Sequence, residues 1–386
     1  MQYEYDVKKF GAIGDGVSDD TDKIQAALEV AQKNNGGIVF FPIGRYKVSS
    51  TINITGCNIQ LVGSGHGSVI FLDKENGTVI KVGHSTDMNQ TMHNKIKNLV
   101  IDRSEIPEFD SCGIWIDRAR YTDVDEVTIY NSGCGISVGP KGEDGIPNQF
   151  TSITNSRLLQ GTFPDAGIIF YSGADYKVSK VFIEPGNRGI VMSGKSNAIT
   201  IDQTSIINGG AYQYGIVSEG TGFARYVTNC IIENALHQQV FIGGSSERFT
   251  LTNSWLGAGD TNGDTRIGIQ IEPGAKSITI SNNRIGDQRK MGILSRGDDV
   301  IIQGNTLEGN VNGNYNCDSL QVEGGKHVII SGNRISSVSD RFGAGLYDHE
   351  SNILNYFIFT NNDTSETGNG YIISASGKHK IDSNNL

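Results

Sequence analysis

Gly113-Ile114-Trp115-Ile116, Gly135-Ile136-Ser137-Val138, Gly167-Ile168-Ile169-Phe170, Gly189-Ile190-Val191-Met192 and Gly215-Ile216-Val217-Ser218 are one phrase written repeatedly. It returns at Gly268-Ile269, Gly292-Ile293, Gly345-Leu346 and Gly370-Tyr371. The first of these starts lie 22 to 32 residues apart, a spacing that signals stacked repeats. A unit this short cannot bury its own apolar face, so the units must stack. Short alternating strands that stack form a single right-handed parallel β-helix. The spacing predicts about a dozen coils over residues 51–386.

The composition agrees. With 386 residues, 37% hydrophobic, 50 Gly and only 7 Pro, the chain suits many short strands and turns rather than disorder. No apolar run is long enough for a membrane helix. The start, Met1-Gln2-Tyr3-Glu4-Tyr5-Asp6, has neither the basic nor the apolar segment of a signal peptide. The net charge of −10 argues against a nucleic-acid partner. None of Cys57, Cys112, Cys134, Cys230 and Cys317 is in CxxC spacing. Cys112 and Cys134 stand one coil apart and read as stacked free thiols.

Residues 1–50 differ from the rest. Ile24, Ala27, Leu28 and Ala31 recur at helical spacing, with Asp20 or Thr21 as N-cap and Asn35-Gly36-Gly37 as stop. The expected helix caps the first coil, whose open edge otherwise invites aggregation. The run from Tyr5 to Val48, which contains Phe10-Gly11-Ala12-Ile13-Gly14-Asp15-Gly16 and Asp19-Asp20-Thr21, resembles the opening of the pectate-lyase-like superfamily. That group includes phage tailspike depolymerases, mannuronan epimerases and fructan-converting enzymes. The resemblance implies a carbohydrate-active β-helix and is nearly silent on the reaction. The epimerase branch carries Asp-Pro-His-Glu on the coil of Gly135. Here the stretch reads Ser137-Val138-Gly139-Pro140-Lys141-Gly142-Glu143, which argues against mannuronan epimerisation. The calcium ligands of pectate lyases are not recognisable.

In the later coils a second phrase ends in Asn, as in Thr228-Asn229, Thr252-Asn253, Asn282-Asn283, Gly304-Asn305, Gly332-Asn333 and Asn361-Asn362. Asn tolerates left-handed corners, and its amide can bond the next coil, so these are expected to be structural ladders.

Alternation along the first strand places the second and fourth residues after Gly outside the coil. The second position holds Ile169, Val191, Val217, Phe241 and Leu294. An exposed apolar stripe there predicts a homotrimer. The fourth position reads Asp117, Gly139, Tyr171, Ser193, Glu219, Gly243, Glu272, Arg296, Glu323, His349 and Ser374. Regular stacking would put Glu219 and Glu272 about 9 to 10 Å apart across Gly243, near the separation of an inverting glycosidase pair. These two are the first candidates for acid and base, with Glu233 and Asp260 as the reserve pair. Arg296 falls between Glu272 and Glu323, the arrangement of an exposed ion-pair ladder as well. Trp255, Tyr171, Trp115 and Tyr212 are candidate sugar platforms. Arg296, Glu323, His237, Trp255 and Tyr171 are the expected substrate contacts. The turn Asp260-Thr261-Asn262-Gly263-Asp264 departs from the EF-hand pattern and reads as a polar loop. No cofactor is expected, with calcium at that loop as the minority alternative. Asp348 falls at a nominally inward position, where a local distortion of the coil is expected.

The expected function is cleavage of an extracellular polysaccharide by a tailspike-like hydrolase or lyase in a virion or extracellular setting. A glycan-binding virion adhesin and a fructan-converting enzyme are the alternatives. The expected partners are the polysaccharide and further copies of the chain, with no membrane.

Overall fold

The computed structural model describes residues 3–74, 76–83, 91–103, 111–140, 148–159, 165–258, 266–311, 315–337, 342–349, 352–377 and 380–385. Among these residues it is nearly all β, a right-handed parallel solenoid of about 12 turns with one α-helix. Two compact units divide it: residues 1–190 with 195–199, and residues 191–194 with 200–386. Among the described residues no helix is long and apolar enough to cross a membrane.

In the first unit the Gly-Ile phrase stacks in register. Ile80 pairs with Ile114, Ile114 with Ile136, and Ile136 with Ile168. All four are fully buried, as the alternation requires. Cys112 and Cys134 pair in the same ladder and are buried. The helix, α1 (Thr21–Lys33), buries Ile24, Ala27, Leu28 and Ala31 against strands Gly37–Phe41 and Ile52–Ile54. Asp20 occupies the N-cap position without a side-chain cap. Its carboxylate instead accepts from the Ile13 and Gly14 amides at 2.7 and 2.9 Å, and Asp19 accepts from the Thr21 amide. Strands Gly37–Phe41 and Gly44–Val48 already pair as coil strands, with Ile59–Gly63 and Ser68–Leu72.

In the second unit Ile216, Val240, Ile269, Ile293 and Leu320 form the corresponding column. The Asn phrases fill two adjacent roles. Asn229, Asn253, Asn282 and Asn361 take left-handed corners with φ of 54°, 52°, 56° and 54°. The neighbouring Asn283, Asn305, Asn333 and Asn362 are buried. Each donates its side-chain amide to the next, at 3.1, 3.0 and 2.9 Å, and Asn362 continues to Asn385. A polar column inside an apolar coil is tolerated because every amide is satisfied.

The expected exposed apolar stripe is not found. Ile169, Val191, Val217 and Leu294 are 1%, 1%, 4% and 4% exposed, and Phe241 is half-buried. For Leu294 the cover is a small second core outside the coil: Ile267, Met291, Val311 and Cys317, with Tyr315 against them. Val311 and Cys317, which follow the strand ending at Asn310, thus help to remove Leu294 from solvent. The apolar outward residues lie instead on the following strand, where Ile301, Ile329 and Ile358 pair in line and are half-exposed.

Candidate functional site

The outward ladder of the second unit is built by strand ends. The Gly243 amide donates to the Ser218 carbonyl, Glu272 to Ile242, and Arg296 to Ile271. Glu219, Gly243, Glu272 and Arg296 therefore succeed one another coil by coil, with Gly243 between the two carboxylates. Arg296 reaches both neighbours. Its Nε and one terminal nitrogen meet the same Glu323 oxygen at 2.7 Å, and its other terminal nitrogen lies 3.8 Å from Glu272. Gln270 donates to Glu272 and Gln321 to Glu323. The Glu272, Arg296 and Glu323 side chains are 27%, 23% and 15% exposed. The carboxylates are thus oriented by donors and still wet. Glu323 pairs with Tyr347 rather than His349, because Ala344, not Gly345, continues the Leu320 column. His349 instead forms an isolated antiparallel bridge with Asn352, the distortion expected around Asp348. Asp348 accepts from Ser376 and Leu354. Burial opposes its ionisation, but these hydrogen bonds outweigh burial and hold the carboxyl below its usual range.

One strand away, Glu233 pairs with Gly257 and Gly257 with Gly286. Trp255 lies over these glycines: a Cβ on Gly257 would meet its indole at 2.8 Å, and one on Gly286 at 3.1 Å. The indole N–H donates to Glu233 at 2.5 Å, and the Arg284 guanidinium sits 5.2 Å from the ring centroid. His237 rests beside Tyr214, with ring centroids 5.6 Å apart. Asp260 lies outside the described residues, as does the polar turn that contains it. Tyr212 is no platform: it is fully buried and donates its hydroxyl to the Ile206 and Glu233 carbonyls. On its other side Glu233 pairs with Ile207.

Tyr171 and Trp115 belong to the first unit. Burial, then the nearby acidic groups, push the Tyr171 hydroxyl above its ordinary range, so it is a neutral donor and a poor base. Trp115 is half-buried under the Lys81 ammonium, 4.2 Å from its ring, and donates to the Gly139 carbonyl. Asp117 is outward but buried, paired with Lys81 at 3.1 Å and Arg118 at 2.9 Å.

The first unit also holds a groove of about 510 Å³. Gln60, Lys95, Asp123, Ser152 and Lys177 follow one another along its floor, coil by coil. Its wall is a column of His93, Tyr121 and Phe150, whose rings stack at 4.7 Å with planes 6° and 4° apart. Asn94, Thr151 and Asp175 complete the lining. Asp123 is exposed, yet partial desolvation beside the groove walls raises its carboxyl above the usual range. Lys95 opposes that rise and Asp125 adds to it.

Residues 5–217, more than half of the chain, match the family described as rhamnogalacturonase A/epimerase, pectate lyase-like. The chain belongs to that family. Alginate lyase 7 of Azotobacter vinelandii is 37% identical over 110 residues, 26% of this chain and 13% of that protein. The chain therefore spans about an eighth of that relative. The A-module of the A. vinelandii mannuronan C-5 epimerase AlgE6 superposes with a TM-score of 0.64 at 17% identity, covering 99% of this chain and 98% of that one. The tailspike of E. coli bacteriophage HK620, solved with a pentasaccharide, gives 0.71 at 13% identity, covering 98% and 80%. At such identities the pectate-lyase-like fold is what is shared.

Sequence reading located the Glu272–Arg296–Glu323 pairing and missed the groove. Its signal was present: Lys95-Ile96-Lys97, Asp123-Val124-Asp125 and Ser152-Ile153-Thr154 alternate around a buried aliphatic. Only the pairing register shows that they share one face.

Proposed function

We propose that this chain acts on a polysaccharide, with Glu219 and Glu272 as its acid and base. The observation that carries the reading is the succession Glu219, Gly243, Glu272 on consecutive coils. Two coil steps correspond to about 9 to 10 Å, room for a water between two carboxylates as inversion requires. Glycine leaves the space between them open. Gln270 and Arg296 orient the Glu272 carboxylate, and an oriented carboxylate is what general acid–base work needs. Trp255 supplies a flat apolar surface beside Glu233, and Arg296, Glu323 and His237 supply donors and acceptors for sugar hydroxyls. Glu233 with Asp260 is the reserve pair. The alginate lyase and epimerase relatives and the tailspike neighbour fit a polysaccharide substrate in an extracellular or virion setting.

A second reading is a glycan-binding adhesin without catalysis. The observation favouring it is that Arg296 engages both Glu272 and Glu323, as in a structural ion-pair ladder. A panel of polysaccharides separates the possibilities. Reducing ends without a new ultraviolet absorbance mean hydrolysis, and reducing ends with the absorbance of a new double bond mean elimination. Retained binding with neither signal removes the enzymatic reading. We also propose a homotrimer. Its contact face is the half-exposed line of Ile301, Ile329 and Ile358, and a monomer mass by light scattering at micromolar concentration overturns it.

A further inference from the structure

We propose that the groove of the first unit is a glycan-binding site in its own right, reading an oligosaccharide of low charge through hydrogen bonds and an aromatic wall. This inference is independent of the catalytic assignment of Glu219 and Glu272.

The aromatic column carries the argument. His93, Tyr121 and Phe150 occupy the corner of their coils with φ of 57°, 52° and 56°. Bulky residues pay for left-handed backbone, at about 1 kcal/mol or more each. The fold does not ask for aromatics there. In the second unit the same corner is filled by Ala224, Arg248, Ser277, Asp299, His327 and Tyr356, at φ of 59°, 53°, 58°, 52°, 55° and 53°, and only the last two bring rings together, tilted by 34°. Nor are the rings in the core: Tyr121 and Phe150 are 38% and 39% exposed. Three exposed rings stacked in parallel along a groove go beyond the tilted His327–Tyr356 pair, and the solenoid, which accepts Ala224 and Ser277 at this corner, does not require them. Their stacked arrangement turns ring edges, which are electropositive, toward the groove, where hydroxyl oxygens are suitable partners.

The floor decides the ligand class. The lining cations, Lys95 and Lys177, are matched by the lining carboxylates Asp123 and Asp175. Lys95 is further engaged by Asp125 at 3.5 Å. A groove balanced in this way, on a chain of net charge −10, has no field to attract a polyanion. What it offers is alternating donors and acceptors. Lys95, Asp123, Ser152 and Lys177 cover three coil steps, about 14 Å, so the fitting ligand is an extended oligosaccharide rather than one sugar.

The test uses the full chain carrying Glu219→Gln and Glu272→Gln, so that cleavage does not enter. Neutral hexose and N-acetylhexosamine oligosaccharides are the probes, with alginate oligosaccharides of matched length beside them. Binding is read by saturation-transfer NMR and titration calorimetry. A neutral probe should bind with little dependence on salt. Adding Tyr121→Ala, a residue type the corner accepts in Ala224, should weaken it on the order of tenfold, about 1.4 kcal/mol, with an unchanged melting curve. Adding Trp255→Ala instead should leave it in place. Any of four results overturns the proposal: no neutral probe binds, alginate binds preferentially with steep salt dependence, Tyr121→Ala binds like its parent, or the groove proves to be covered by a second copy whose association Tyr121→Ala abolishes.

Discussion

Along the strand that follows the same corner of each coil, the two units present different faces. In the first unit the outward residues are Lys95, Asp123, Ser152 and Lys177, beside a wall of rings. In the second they are Tyr226, Thr250, Thr279, Ile301, Ile329 and Ile358, beside corners that run from Ala224 to Tyr356 without a continuous wall of rings. The inward residue after each hardly differs, Ile96, Val124, Ile153 and Val178 in one and Leu251, Ile280, Ile302 and Ile330 in the other, all fully buried, whereas the inward residue before it is Asn94, Thr122, Thr151 or Tyr176 in one and Phe249, Ile278, Val300 or Val328 in the other. The solenoid constrains one side of each strand and one corner conformation, and leaves the other side free. Recognition chemistry can therefore change from coil to coil without cost to the fold, which is why function has to be argued from outward positions.

The largest expected effect would break the comparison if it failed. Glu219→Gln and Glu272→Gln should each lower turnover by about 10² to 10⁴, the usual contribution of a general acid or base. Melting should hardly move, because partly exposed ion pairs stabilise little. Full activity in both would shift attention to Glu233→Gln and Asp260→Asn, and full activity in all four leaves the adhesin reading.

Next is assembly. Ile329→Asp places a charge in the apolar line of the second unit, and burying an unpaired charge is costly. A trimer in light scattering should fall to monomer, whereas Ser152→Asp in the first unit should leave the mass unchanged. Equal behaviour of the two variants contradicts the assignment of the contact face.

The inward side should respond more than either outward face. Asn305→Ala removes the donor to Asn333 and the acceptor for Asn283. Leaving buried amide groups unsatisfied costs about 1 to 3 kcal/mol. Chemical denaturation should show that loss, and Thr279→Ala on the outward face should lie within about 0.5 kcal/mol of the parent.

The smallest effect concerns pH. For Asp125, burial opposes ionisation, but hydrogen bonds from Asn155 and Thr154 and the Lys95 charge outweigh it and hold the carboxyl low. Asp348 is held low in the same sense. A depressed folded-state value means stability that is present above the unfolded value, about 3.9 for Asp, and lost as pH falls through the folded one. Asp123 has the opposite sign: its raised value costs stability where it is ionised, and the cost is relieved on acidification. Asp123→Asn should therefore flatten the response near its own titration, while Asp348→Asn should lessen the loss at lower pH. Melting curves across pH 3 to 7 read both, the range being chosen roughly from the ordinary carboxylate values.

What the sequence determined by itself was everything that repeats locally. The Gly-Ile phrase specified buried columns, because alternation alone fixes which side chains enter the coil. Helical spacing specified α1 and its buried face. Asn pairs specified both the corner and the ladder, and the fourth outward position placed Arg296 between Glu272 and Glu323. The tertiary structure decided what depends on register across turns of unequal length and on what covers a strand. It paired Glu323 with Tyr347 rather than His349, because Ala344 rather than Gly345 continues the column. It hid Leu294 under Val311 and Cys317, and took Tyr212 inside. It also gathered His93, Tyr121 and Phe150, distant in sequence, into one wall. A local pattern fixes the direction of a side chain within its strand; only the packed coils fix its neighbours.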